Sequence, residues 1–218
     1  MIDIPLFPLN LVLFPQIPLK LHIFEKRYKA LVKYCQDHDT VFGIVLIQSG
    51  RESLGPLAET YKIGCTANIV NIVQMPSNRL HLEIQGQNRF EIVNTYTDKE
   101  HYLRGLVNYL DYEPTSKPMQ PLAEKLSQLL KVYISMMSDA GKTNFDLTDL
   151  SQDPQTLCYI AASLLNISNE QKQAYLEESS LEANLKSLIS AYELEIMILD
   201  KLLTIPDNQK NLGEFSIN

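Results

Sequence analysis

The chain has 218 residues, 45% apolar and 21% charged, a balance that builds one large or two small globular domains and excludes a disordered chain or a multi-domain machine. Its net charge of −7 denies it the broad positive field that non-specific nucleic-acid or anionic-membrane binding requires. Its three cysteines, Cys35, Cys65 and Cys158, are too dispersed for a disulfide framework and read as reduced thiols of a cytoplasmic protein.

The apolar start of the chain has no basic leader, and Pro5, Pro8, Pro15 and Pro18 break any spanning helix. These prolines hold the first 20 residues extended and remove backbone donors, which allows the segment to lie at a sheet edge where another chain can add. Short β-branched and aromatic runs predict strands over Leu11–Phe14, Leu19–Phe24, Val41–Ile47, Cys65–Val73, Leu80–Ile84, Phe90–Tyr96 and Leu103–Tyr109. A turn at Met75–Arg79 folds Cys65–Gln85 into a hairpin. Between strands, Tyr28, Leu31, Val32 and Cys35 recur at helical spacing and predict a helix over Glu25–Asp37, with Glu25 and Arg27 pairing or capping it. One helix among short strands suggests a small closed or nearly closed sheet plugged by that helix.

Composition changes near residue 115. Before it stand 11 basic and 12 acidic residues and every Arg; after it stand 8 basic and 14 acidic. The expected organisation is a β-rich subdomain over 1–115, a helical subdomain over 116–205 and a loosely held tail over 206–218. In the second half, Leu122, Leu126, Leu129, Leu130, Tyr133, Ile134 and Met137 form a helical stripe that ends at Asp139-Ala140-Gly141. Asp153-Pro154 opens a helix through Leu165, and Ser168 with Gln171 and Ser179 with Glu182 have capping-box spacing. A last stripe runs from Leu181 to Leu203, about 34 Å of helix. It reads as a bundle helix in preference to a dimer seam, because the other amphipathic helices need a cover.

Catalytic and cofactor chemistry finds little to rest on. Gly141-Lys142-Thr143 ends like a phosphate-binding loop, but Met136 stands where its first glycine belongs and the segment follows a helix. The histidines at 22, 38, 81 and 101 show no ligand spacing, so no metal site is expected. No nucleophile motif is present, although a Ser–Lys pair stays open. Arg79, Arg89, Arg104, Phe90 and Tyr102 could form an RNA-stacking face; isolated sheet charges offset by Glu83 and Glu91 is the preferred reading.

One ordered pattern is specific. Pro5-Leu6-Phe7-Pro8-Leu9, Val12-Leu13-Phe14-Pro15 and Leu19-x-Leu21-His22-Ile23-Phe24-Glu25-x-Arg27-Tyr28 are followed by Gly43-Ile44-Val45-Leu46, Ile63-Gly64-Cys65-Thr66-Ala67 and Gly86-x-x-Arg89-Phe90-x-Ile92. The pattern closely resembles the N-terminal substrate-recognition domain of Lon proteases. Leu164-Leu165-Asn166-Ile167-Ser168 and the helices around it resemble that family's helical part, so the likeness covers about residues 2 to 204. It implies an α+β fold, a PUA-like β-barrel followed by a helical bundle. It also implies a non-catalytic role in binding polypeptide, with no ATPase or peptidase module, no cofactor and no membrane.

The expected partner is an unfolded chain, a folded client or a protease component that the domain serves. Apolar bulk near the proline-rich segment makes Phe14, Phe24 and Tyr28 the candidate polypeptide contacts. An RNA-binding PUA-like module is the alternative, disfavoured by charge.

Overall fold

The computed structural model describes residues 1–50, 58–97, 99, 101–139 and 151–203. The expectations at Gly141-Lys142-Thr143 and over 206–218 lie outside them. Among the described residues the fold is a mainly antiparallel seven-stranded sheet with five α-helices.

The strands are β1 (Ile2–Leu9), β2 (Pro18–Ile23), β3 (Phe42–Ser49), β4 (Glu59–Thr60), β5 (Ile63–Met75), β6 (Arg79–Thr97) and β7 (Leu103–Leu110). The helix α1 (Lys26–His38) separates β2 from β3. Pairings run β1–β7–β6–β5–β3, and β3 returns to β1 as the parallel pair, so five strands form a closed circuit of ladders. Register shifts at Cys65/Ala67, Ile69/Asn71 and Ile92/Asn94 mark bulges, which bend long strands enough for such closure.

Two expectations change here. Of the proline-rich opening, β1 is not a sheet edge, since it lies between β7 and β3 with Pro5 opposite Arg104 and Pro8 opposite Val45, whereas β2, which starts at Pro18, pairs only with β6 among the described residues. The ladder tolerates these two prolines because β7 pairs with Ile2–Leu6 and β3 with Leu6–Leu9, so each proline has one unpaired flank where its missing N–H leaves no ladder bond unmade. Leu11–Phe14 is also not a strand but an irregular link whose last residue turns inward. The segments Leu80–Ile84 and Phe90–Tyr96 belong to one long strand, β6, because Gly86 lets the chain bend closely past Phe14 without ending the ladder.

The interior follows from strand alternation. Leu21 and Ile23 of β2 and Leu82 and Ile84 of β6 point inward, where Tyr28, Leu31, Val32 and Cys35 of α1 cover them. A second cluster joins Ile4, Leu6, Val45, Phe90, Leu103 and Val107.

The helical half comprises α2 (Gln120–Asp139), α3 (Pro154–Leu164), α4 (Asn169–Glu177) and α5 (Leu181–Leu203). Asp153 caps α3 by accepting from Thr156 N at 2.8 Å, with Pro154 in its first turn. The capping box at Ser168 and Gln171 forms. The one expected at Ser179 is displaced by a residue: Ser180 accepts from Ala183 N at 3.2 Å, while Ser179 donates to Glu113 at 2.8 Å. Leu126, Leu130, Leu185, Leu188 and Tyr192 fill the shared core, each buried leucine contributing roughly 1.5–3 kcal/mol.

The halves share that core. Phe14 is packed among the helices, with Val12, Ile17 and Ile63 beside it. Arg89 reaches from β6 to the end of α4, and Gln173 Nε2 donates to Ile63 O at 2.9 Å.

Candidate functional site

Beside α1 the sheet opens into a cleft of about 250 Å³. Its floor is Phe7 and Leu9 of β1, its wall Leu21 and Ile23 of β2, its back Tyr28, and its rim Lys20, His22, Phe24 and Glu25. Phe7 stacks on Tyr28 with ring centroids 3.9 Å apart, and the Arg27 guanidinium lies 4.6 Å from the centroid of the Tyr28 ring. Arg27 Nε donates to Glu25 at 3.0 Å, which realises the expected pairing at the helix start and holds the guanidinium in place. The cleft therefore combines an aromatic stack, Phe7 on Tyr28, with charged groups, Lys20 and Glu25, at its rim.

Two backbone features flank it. Strand β2 pairs only with β6 among the described residues, from Pro18 opposite Gln85 to Ile23 opposite Leu80, so its other edge is open. Alternation then turns Lys20, His22 and Phe24 outward. Lys20 is engaged by Glu83 at 3.4 Å, but Phe24 is 54% exposed, an aromatic ring in water at the mouth of an apolar cleft.

The three residues expected to touch a polypeptide thus divide. Phe24 is exposed, and Tyr28 is 5% exposed, forming the cleft back. Phe14 is 1% exposed and locked between the sheet and Tyr159 of α3. As a correction to the sequence reading, Phe14 is core and cannot contact a client in this structure. Phe7, Leu9, Leu21 and Ile23 join the site from strands far enough apart in sequence that no motif marks them as a cleft.

The candidate RNA face also disperses. Arg89, Arg104, Phe90 and Tyr102 are buried, and Arg79 alone of the five is exposed. Arg89 stacks on Tyr112 at 4.1 Å, and Arg104 grips Asp3 at 3.1 Å while lying 4.6 Å over Tyr34. Burial alone would weaken the Arg104 charge, yet its bonds to Asp3, Tyr34, Tyr102 and Tyr96 hold it firmly protonated. These arginines join parts of the fold and offer no stacking platform.

The reactive groups follow the same pattern. Burial pushes the Cys35, Cys65 and Cys158 thiols up to about 12, far from thiolate chemistry at neutral pH. The histidines hold a surprise: strand pairing places His22 opposite His81, although 59 positions separate them. No described helix is long and apolar enough to cross a membrane.

The architecture is that of Lon N-terminal domains. A crystal structure of a Lon N-terminal domain protein from Xanthomonas campestris matches with a TM-score of 0.65 at 24% identity, covering 87% of this chain and 98% of that one. The N-terminal domain of a Mycobacterium avium complex Lon protease matches with a TM-score of 0.68 at 16% identity, covering 88% and 98%. The family model for the ATP-dependent protease La (LON) substrate-binding domain matches residues 3–191, and the chain belongs to that family. Among curated relatives, Lon protease 2 of Myxococcus xanthus is 28% identical over 189 residues and the Lon protease of Syntrophus aciditrophicus 26% over 204. The chain covers 85% and 90% of itself in these matches but only 23% and 26% of the relatives' length.

Proposed function

We propose that this chain is a polypeptide-binding module that captures unfolded, apolar-rich segments in the cleft between β2 and α1, and that it acts by binding and not by catalysis. The observation that carries the reading is the exposed Phe24 beside an open strand edge and an aromatic floor. A recognition surface for many clients must read what unfolded chains share, namely free backbone donors and acceptors and exposed apolar side chains. An extended segment added to β2 satisfies the first, and Phe24, with Phe7 and Tyr28 behind it, satisfies the second. Membership in a substrate-binding family supports the same class of partner.

The closed circuit of five strands supports a PUA-like barrel with α1 packed across it, and α2 to α5 are read as the helical bundle. On this reading residues 1–115 and 116–205 are two subdomains fused over Phe14 and Arg89. Three buried free thiols support a reducing, cytoplasmic setting. The RNA alternative is disfavoured on this reading, since four of its five candidate platform residues are buried.

Site-directed crosslinking tests the cleft. The native cysteines are buried, so a Phe24→Cys variant carries one reactive thiol for a photoactivatable maleimide. With a reduced, unfolded polypeptide present, position 24 should crosslink efficiently and a Lys131→Cys control on α2 should not. Equal labelling at both positions would overturn the cleft as the site.

A further inference from the structure

His22 and His81 stand opposite each other on the outward face of the sheet, with Nδ1 atoms 3.4 Å apart, ring centroids 4.7 Å apart and ring planes inclined by 60°. Six consecutive register pairs between β2 and β6 fix this placement. Two nitrogens bound at 2.0–2.1 Å to one tetrahedral zinc ion are themselves about 3.4 Å apart. The backbone therefore delivers two imidazoles at the separation that two ligands of one ion adopt.

We propose that His22 and His81 form a two-histidine site for a borderline divalent transition metal of the zinc class, bound through both Nδ1 atoms. Imidazole donors select such ions over magnesium or calcium, which prefer oxygen. Among the described residues no group of three or more His, Cys, Asp or Glu could hold a metal, so the remaining positions are open to water or to a side chain of a bound polypeptide. The nearest carboxylate, Glu83, is engaged by Lys20 at 3.4 Å and by Asn71 at 3.4 Å.

Among the described residues the other imidazoles are those of His38 and of the exposed His101. The cysteines are buried. His38 is held by Tyr34, its Nδ1 lying 2.9 Å from the Tyr34 carbonyl and its ring stacked at 4.2 Å on the Tyr34 ring.

Affinity follows from the ligand count and the charges. Two protein ligands give weaker binding than the four of a structural zinc site, in the micromolar range. Each imidazole must be neutral to bind, so protons compete with the metal. Lys20 on β2 and Arg79 and Glu83 on β6 are the charged groups on this face, and the β5 register partners, Met75, Val73 and Asn71, carry none. The site stands on strand geometry and does not depend on the polypeptide reading.

The test is a calorimetric titration of zinc chloride into metal-free protein at pH 7.5, with nitrogen-15 imidazole spectra of the wild type as a second readout. The expected result is one zinc per chain, at least about tenfold weaker in His22→Ala and in His81→Ala and unchanged in His38→Ala. The spectra should show the two ring systems shifting together at substoichiometric zinc, which keeps the proposal testable if either variant misfolds. Absence of saturable binding at 1 mM zinc would show that the pair shares only a hydrogen bond and would overturn the proposal. So would equal loss in His38→Ala, or spectra in which His22 and His81 do not move.

Discussion

Arg89 Nη1 donates to the carbonyl of Glu178 at 2.6 Å, and the same nitrogen reaches the carbonyl of Leu176 at 3.0 Å. A strand of the sheet thus caps the C-terminal end of α4, where unpaired carbonyls and the negative end of the helix dipole gather. The guanidinium plane rests on Tyr112 just before the helical half begins, so one side chain ties three parts of the chain. Arg89→Met should keep the packed stem and lose the cap, leaving buried acceptors bare at a cost of roughly 3 kcal/mol. Arg89→Lys should recover only part of it, because an ammonium cannot both stack flat on Tyr112 and serve two carbonyls. Urea unfolding of the two variants reads this order directly; equal stability of Arg89→Met and wild type would refute the clamp.

Gly86 makes the other junction. A Cβ there would run into the Phe14 carbonyl oxygen, where the two segments are held together by Gln16 N donating to Gly86 O at 2.9 Å and Gly86 N to Ile17 O at 3.0 Å. Gly86→Ala should cost about 3 kcal/mol through backbone displacement. Phe14→Ala should cost roughly 3–5 kcal/mol through a cavity at the interface of the halves. Since both changes strike the shared core, the near-ultraviolet signals of strand and helix tyrosines should melt together in each variant; two separated transitions would contradict a fused core.

The buried thiols predict slow chemistry. Their pKa values stand at about 12 against 9.0 for a free thiol, so the folded state favours the protonated form. Their contribution to stability is intact below pH 9 and is lost as pH rises toward 12. A colorimetric disulfide reagent at pH 8 should find no fast thiol in native protein and three after denaturation. A rapid native reaction at any one of them would place that cysteine at the surface.

As pH falls, the link between α5 and the segment before α2 should lose its contribution to stability. Bonds from Lys186 at 2.7 Å and Lys117 at 2.9 Å hold the Glu182 carboxyl down to about 2, from an ordinary 4.5. A depressed carboxylate stabilises the fold above its unfolded pKa, so this contribution fades as pH falls from 4.5 toward 2. The group is exposed and the effect small. Comparing acid melts of wild type and Glu182→Gln checks it: the variant should lack this part of the slope, and identical slopes would remove the link.

Much of the fold was legible because it is written in short-range patterns. The strict alternation at Leu80 to Ile84, the turn at Ser77 and Asn78, and the helical spacing of Tyr28, Leu31, Val32 and Cys35 each name their element. What stayed hidden is set by closure. Nothing local shows that β1 is taken up by β3 and β7, so its prolines read as an edge while the open edge is β2. For the same reason Phe14 and Phe24, both apolar and both near prolines, looked alike; only the packing of the halves buries one and leaves the other in water. The alternation of Lys20, His22 and Phe24 against Leu21 and Ile23 was the signal that could have separated them. His22 and His81 meet through register, a relation that ligand spacing along the chain cannot express.

The central claim is that Phe24 and the cleft beside β2 take up unfolded polypeptide. Fluorescence titration of a labelled, reduced and unfolded polypeptide against wild type and Phe24→Ala, at low and high salt, tests it most directly. Phe24 is exposed, so the variant should fold as wild type does, which circular dichroism verifies. The account predicts saturable binding near micromolar Kd, about −8 kcal/mol, nearly independent of salt and weakened about tenfold by Phe24→Ala. Binding that is absent, that collapses with salt, or that is indifferent to Phe24→Ala would contradict it.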